Sequence, residues 1–164
     1  MAKNNKTLDE LFHDTLKDIY YAEKKILSSL PKMAKAAQSP ELKAAFEKHE
    51  RETDGQVDRL EKVFAIIEAP ARGKKCDAMD GILDEGKEIM DEYKGSPAID
   101  AGLLAAAQAV EHYEMTRYGT LIAWAKQLGR SDCAALLQQN LDEEKATDKK
   151  LTTLAETNVN RKAA

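Results

Sequence analysis

Proline and glycine are scarce in this chain, 4 and 8 of 164 residues, and aromatic residues make up only 5%. So few turn formers argue against an all-β domain, which needs a turn every ten residues or so. The two cysteines, Cys76 and Cys133, fit no thiolate metal spacing, and reduced thiols are favoured over a disulfide between them. No apolar run is long enough to span a bilayer, and the start, "MAKNNKTLDELF", has no apolar stretch of the signal-peptide kind. A cytoplasmic location without membrane association is expected. There is no basic excess either. The net charge is −4 and the signs are mixed along the chain, so the electrostatic footprint of a nucleic-acid binder is missing.

What remains is rich in Ala, Leu, Glu and Lys, and its length suits a single domain spanning 1–164. The spacing predicts a first long helix over about 8–37, opened by Thr7 with Glu10 as a capping box and bent near its end by Pro31. A "QSPE" turn follows, with Ser39 as N-cap and Pro40 at the first helical position of a second helix that runs to about Glu68. A short helix spans about 77–93. The third long helix covers about 98–128 with Gly129 as its cap, and the fourth runs from Ser131 to about Asn158. Frayed ends are expected over about 1–6 and 159–164. Four long helices with a short one in the central connection give an all-α four-helix bundle with a long crossover. A faint internal repeat accompanies this pattern. Residues 7–64 align with 98–155 at an offset of 91, with eight identities that include Glu23 with Glu114 and Glu52 with Glu143.

The apolar seams of these helices are interrupted at their centres. On the first helix, Phe12, Leu16, Ile19, Glu23, Ile26, Leu30 and Met33 follow alternating steps of three and four, and Glu23 breaks an otherwise apolar row. The second helix reads Leu42, Ala45, His49, Glu52, Gln56, Leu60, with polar residues in the middle. The third carries Glu114 on its seam and Glu111 one turn before it. The fourth reads Leu137, Asn140, then Glu143 or Glu144, then Thr147 and Leu151. Glu23 and Glu52 lie equally far from their turn, as do Glu114 and Glu143. Each is about 14 residues, roughly 20 Å, along its helix. Packed hairpins therefore bring the carboxylates into one layer.

Several ionised carboxylates in a dry interior repel one another and cost several kcal/mol each in lost hydration. They must be protonated, paired or neutralised by cations. No Lys or Arg sits at the central seam positions, although Arg117 is near enough to compete. A metal site is favoured, and a donor set rich in oxygen and free of thiolate suits iron or manganese. The candidate ligands are Glu23, Glu52, Glu111, Glu114 and Glu143, with His49, Gln56, Glu144 and Thr147 as weaker ones. A lone seam His such as His49 is more often a hydrogen-bonded core residue than a ligand. His112 points to another face, and His13 is expected to face solvent. Tyr113, Tyr118 and Trp124 are packing residues first and one-electron donors second.

One glutamate on each of three long helices and Glu-x-x-Glu on the other resemble the rubrerythrin-type di-iron pattern of ferritin-like proteins. More closely, "DIYYAEKKIL", "FEKHERETDGQ", "KKCDAMDGI", "AAAQAVEHYEMTRYGTL" and "LDEEKATDKKLTTLA" resemble the bacterial YciF family across nearly the whole chain. The resemblance implies a ferritin-like fold, a stress-associated role and two iron ions per chain, with manganese as the alternative metal. By position, Glu23, Glu52, Glu111, Glu114 and Glu143 take the carboxylate-ligand places. The histidines of the usual Glu-x-x-His motifs are absent, because Gly55 follows Glu52 by three and Ala146 follows Glu143 by three. Oxidation of bound Fe(II) by peroxide, with an external reductant, is one implied activity. The alternative is a non-enzymatic metal-binding or structural protein with a remnant site. A homodimer is expected, through apolar residues beside the short helix such as Ile82, Ile89 and Met90.

Overall fold

The computed structural model describes residues 6–164, and its regular structure is entirely helical. Helix α1 spans Leu8–Ala36, α2 Pro40–Ile66, α3 Asp77–Glu92, α4 Ile99–Gln127 and α5 Ser131–Leu154. The expected bounds hold to within two residues except at the end of α5, which stops at Leu154 rather than near Asn158. The expected fraying at 1–5 falls outside the described residues. At the other end the chain stays helical, through a wider π turn at Ala155–Val159 and a last short helix α6, Asn160–Ala163. Val159 is buried there, which anchors a segment expected to fray.

Local chemistry starts and stops these helices where the sequence indicates. Thr7 and Glu10 form a reciprocal capping box, and the Ser39 side chain accepts from the Leu42 amide with Pro40 in the first turn. Helix α1 continues through Pro31 to Ala36. Gly129 closes α4 in the left-handed region at φ 72°, a conformation that favours glycine. Cys76 is the N-cap of α3, its sulfur accepting from the Met79 amide. Both cysteines are free and buried.

The four long helices form a bundle in which α1 packs on α2 and α4, and α5 packs on α4 and α2. Two carboxylates fix how the hairpins meet. Asp100, at the start of α4, accepts from the amides of Gln38 and Ser39 at 2.7 Å, so α4 begins beside the α1–α2 turn. Asp9, at the start of α1, pairs with Arg130 in the α4–α5 turn at 2.6 Å. The hairpins therefore lie side by side with their turns at opposite ends. Asp9 and Asp100 are themselves partners in the offset of 91, as are Ser39 and Arg130. The same joint is made twice, with different chemistry.

Helix α3 carries the crossover and lies against α4 and α1. A Cβ on Gly102 would meet Ile89 Cγ2 at 2.5 Å, so a larger residue there would push α3 away. Ile82, Leu83, Ile89 and Met90 are partly covered by the core. The large apolar side chains most open to solvent are Leu11, Ile66 and Tyr93 instead. Among the described residues, no helix is long and apolar enough to cross a membrane.

Candidate metal centre

Mid-bundle, the core turns polar. Glu23, His49, Thr53, Gln56, Glu111, Glu114, Asn140, Glu144 and Thr147 are all buried, with apolar layers above and below. His49, Glu111, Glu114 and Glu144 each offer a ligand atom, and these atoms lie within 4.8 Å of one another. Glu23 completes the group from α1, in contact with Glu114.

Few donors reach this cluster. Both carboxylate oxygens of Glu111, Glu114 and Glu144 lack a hydrogen-bond partner, as do Glu23 Oε2 and Gln56 Oε1. His49 Nε2 lies 3.0 Å from Glu111 Oε1 and 4.0 Å from Glu144 Oε2, but not in line for a hydrogen bond. A buried acceptor without a donor costs about 1–3 kcal/mol, and more when charged. The metal-free centre therefore resists ionisation. Burial first, and the neighbouring Glu144 second, push the Glu23 carboxyl up to about 8. Burial raises Glu111 to about 8 as well, although contact with Glu144 works the other way. Glu114 and Glu144 are driven well above the carboxylate range, by burial and then by the other glutamates.

A hydrogen-bonded chain leads away from one side. Tyr118, fully buried, donates to Glu23 Oε1. Asn140 Nδ2 donates to the Tyr118 hydroxyl at 3.1 Å, and Arg59 donates to Asn140 Oδ1 at 2.8 Å. Arg59 also grips Glu143 through two bonds, at 2.6 and 2.8 Å. This chain holds one oxygen of Glu23 and leaves the other free for the cluster.

The structure therefore brings together Glu23, Glu111 and Glu114 with His49 and Glu144. Glu143 lies half-buried beside the cluster, engaged by Arg59 and Gln56. Glu52 is also half-buried and pairs with Lys48, its Oε2 turned inward without a partner. The fully inward positions are Thr53 and Glu144, one residue beyond Glu52 and Glu143. Two features of the sequence could have shown this. On α2 the seam steps by four from His49 to Thr53 and by three to Gln56. On α5 the same steps run from Asn140 through Glu144 to Thr147. Arg117 is drawn to Tyr113 and Asp18 rather than to the glutamates. His112 pairs with Asp148 at 3.2 Å on the outer face, and His13 is half-buried against Phe64.

A bundle of paired helical hairpins, with a long crossover and carboxylates from facing helices in its centre, is the ferritin-like architecture. The chain belongs to the family described as domain of unknown function DUF892, whose model matches residues 7–164. Protein YciF of Escherichia coli K12 is 44% identical over 164 residues, covering 98% of this chain and 97% of its own. The crystal structure of the E. coli stress protein YciF superposes with a TM-score of 0.90 at 43% identity, over 95% of this chain and 99% of that one. YcfI of Rhodopseudomonas palustris gives 0.88 at 42% identity over 93% of this chain and 98% of that one. A Xanthomonas campestris protein at 21% identity, with a TM-score of 0.70 over 92% of each chain, shares the fold.

Proposed function

We propose that the buried cluster is a binding site for divalent transition metal, iron in the first place and manganese in the second. The observation that supports this best is the set of unpartnered polar atoms: six oxygens on Glu111, Glu114 and Glu144, one on Glu23, and both ring nitrogens of His49. One imidazole among carboxylates is a donor set suited to iron or manganese. His49, Glu111, Glu114 and Glu144 would hold a first ion, with Glu23 and Gln56 supporting a second. Two divalent ions would balance four carboxylates whose ionisation burial otherwise opposes. Bound iron would supply one-electron chemistry toward peroxide. The protein's own part is to orient Glu23 through Tyr118 and to hold the ligands in a layer closed to bulk water.

YciF of E. coli is described as a stress protein, and a stress role is part of the present reading. So are a reducing compartment, in keeping with the free thiols of Cys76 and Cys133, and a partner that donates electrons. We further propose a homodimer. Leu11 and Ile66, exposed at the open end of the α1–α2 hairpin, are its best-supported contacts. A sedimentation equilibrium run giving a monomer at micromolar concentration would refute that part.

The test of the main reading is anaerobic loading with Fe(II), removal of free metal and elemental analysis. About two ions per chain are expected from the charge balance, and less than about half an ion would refute the proposal. Mixing the loaded protein with peroxide then asks about turnover. Oxidation no faster than that of free Fe(II) would reduce the function to binding alone.

A further inference from the structure

Between α1 and α3, floored by α4, lies an open groove of about 470 Å³ that the metal site does not use. That volume is in the range of small-molecule sites. Its floor is apolar: Met33 from α1, Leu83 and Met90 from α3, and Val110 from α4. Its rim is cationic, with Lys25, Lys32, Lys75 and Lys87 against Asp80 and Asp84. Asp80 is already engaged, accepting from the Tyr21 hydroxyl at 2.9 Å and lying 3.9 Å from Lys75. Among the described residues, Lys25, Lys32 and Lys87 have no carboxylate within ion-pairing distance. Lysines in excess around an apolar floor are a local departure in a chain of net charge −4.

The groove also has a direction. A second, much smaller cavity of about 10 Å³ shares Ser29, Met33, Leu83 and Val110 with it and ends on His49 and Glu111. That is about the room one water molecule needs. The larger space is thus an antechamber, separated from the buried carboxylates by a neck of Met33, Leu83 and Val110.

We propose that this groove binds an amphipathic monoanion, a carboxylate with an aliphatic or aromatic body. The anionic head pairs with Lys32 and Lys87, and the body lies along Met90, Leu83 and Met33 toward the neck. The head and body requirements are met by different residues, so the site selects for both together. A cation of the same shape meets the three unpaired ammonium groups of Lys25, Lys32 and Lys87 against the single free carboxylate of Asp84, and is rejected. The neck is too narrow for the body, so the ligand sits above the centre while species the size of water pass beneath it. Only this last point rests on the metal reading; binding in the groove does not.

Decanoate is a suitable probe, titrated into the metal-free full-length protein labelled with 13C at its methionine methyl groups. Saturable binding is expected, with the Met33 and Met90 signals shifting and that of Met115 unmoved. Lys32→Glu with Lys87→Glu, two exposed changes, should weaken binding about tenfold or more. Decyltrimethylammonium should not bind measurably. Equal binding of the cation, an unchanged affinity in the folded double variant, or shifts confined to other methionines would each overturn the proposal. Because the protein is metal-free throughout, these results stand apart from any failure of metal loading.

Discussion

The two hairpins are built to one plan and furnished differently. Position by position, at the offset of 91, buried residues of α1–α2 correspond to buried residues of α4–α5: Leu16 to Ala107, Glu23 to Glu114, Phe46 to Leu137, Leu60 to Leu151. At the centre the correspondence continues in burial and breaks in chemistry. His49 corresponds to Asn140, Thr53 to Glu144, and Gln56 to Thr147, all of them buried. The α4–α5 hairpin supplies three carboxylates to the cluster, whereas α1–α2 supplies Glu23 and the imidazole of His49. The fold tolerates this because backbone and apolar layers carry the architecture, leaving the inner polar positions free to differ. Charge is concentrated on one hairpin and the nitrogen donor on the other.

The largest effects should follow from removing the acidic half. Glu111→Ala with Glu144→Ala is expected to abolish metal loading, whereas Glu52→Ala with Glu143→Ala should leave it within about threefold, since that pair already engages Lys48 and Arg59. Anaerobic equilibrium dialysis measures both. Loss of loading in the second variant alone would mean that the outer glutamates turn inward to bind metal.

Next in size is the pH dependence of the metal-free protein. Glu23 and Glu111 release their protons near pH 8 in the folded chain, and near the ordinary carboxylate range when unfolded. Between those limits the unfolded chain binds fewer protons, so stability is greatest near pH 4.5–5 and falls as pH rises toward 8. The loss should reach a few kcal/mol. Urea titrations across that range, with and without metal, will show it. A metal-free protein whose stability rises between pH 5 and 8 would contradict the account. Metal should flatten the curve by taking the place of the protons, and its affinity should fall as pH drops.

A smaller gain is expected from relieving one carboxylate. Glu114→Gln should stabilise the metal-free form by about 1 kcal/mol or more at pH 8 while weakening metal binding, because Gln is neutral without holding a proton that the unfolded chain would release. Equal destabilisation of free and loaded protein would assign Glu114 to packing. An effect of similar size sharpens the hairpin difference directly. Thr147→His would give α5 a Glu-x-x-His pair with Glu144, two groups on one face of the helix. Metal affinity should rise by about tenfold, measured by competition with a chelator of known strength.

Much of this was legible before any coordinates. Helix ends followed from Thr7, Ser39, Pro40 and Gly129, whose side-chain or backbone chemistry acts locally. The buried positions of Glu23, Glu111 and Glu114 followed from charges on otherwise apolar seams. The register within α2 and α5 was harder to read. Alternating steps of three and four leave a choice at each turn, and acidic residues stand at both 143 and 144. Only packing against the facing helices decides that Glu144 turns inward while Arg59 holds its neighbour at the edge. The repeat was obscured for a related reason. Burial is shared at the matched positions while side-chain size and charge are not, so Thr53 and Glu144 correspond without being identical. His49 reads as an ordinary core residue until its neighbours are known, and those neighbours come from other helices.

The central claim is that one buried layer, rather than the acidic surface, takes up the metal. Crystals of the Fe(II)-loaded protein, measured on both sides of the iron absorption edge, test it most directly. The account predicts anomalous density bonded to His49, Glu111, Glu114 and Glu144. Density confined to surface carboxylates, or none at all in crystals whose solution was fully loaded, would contradict it.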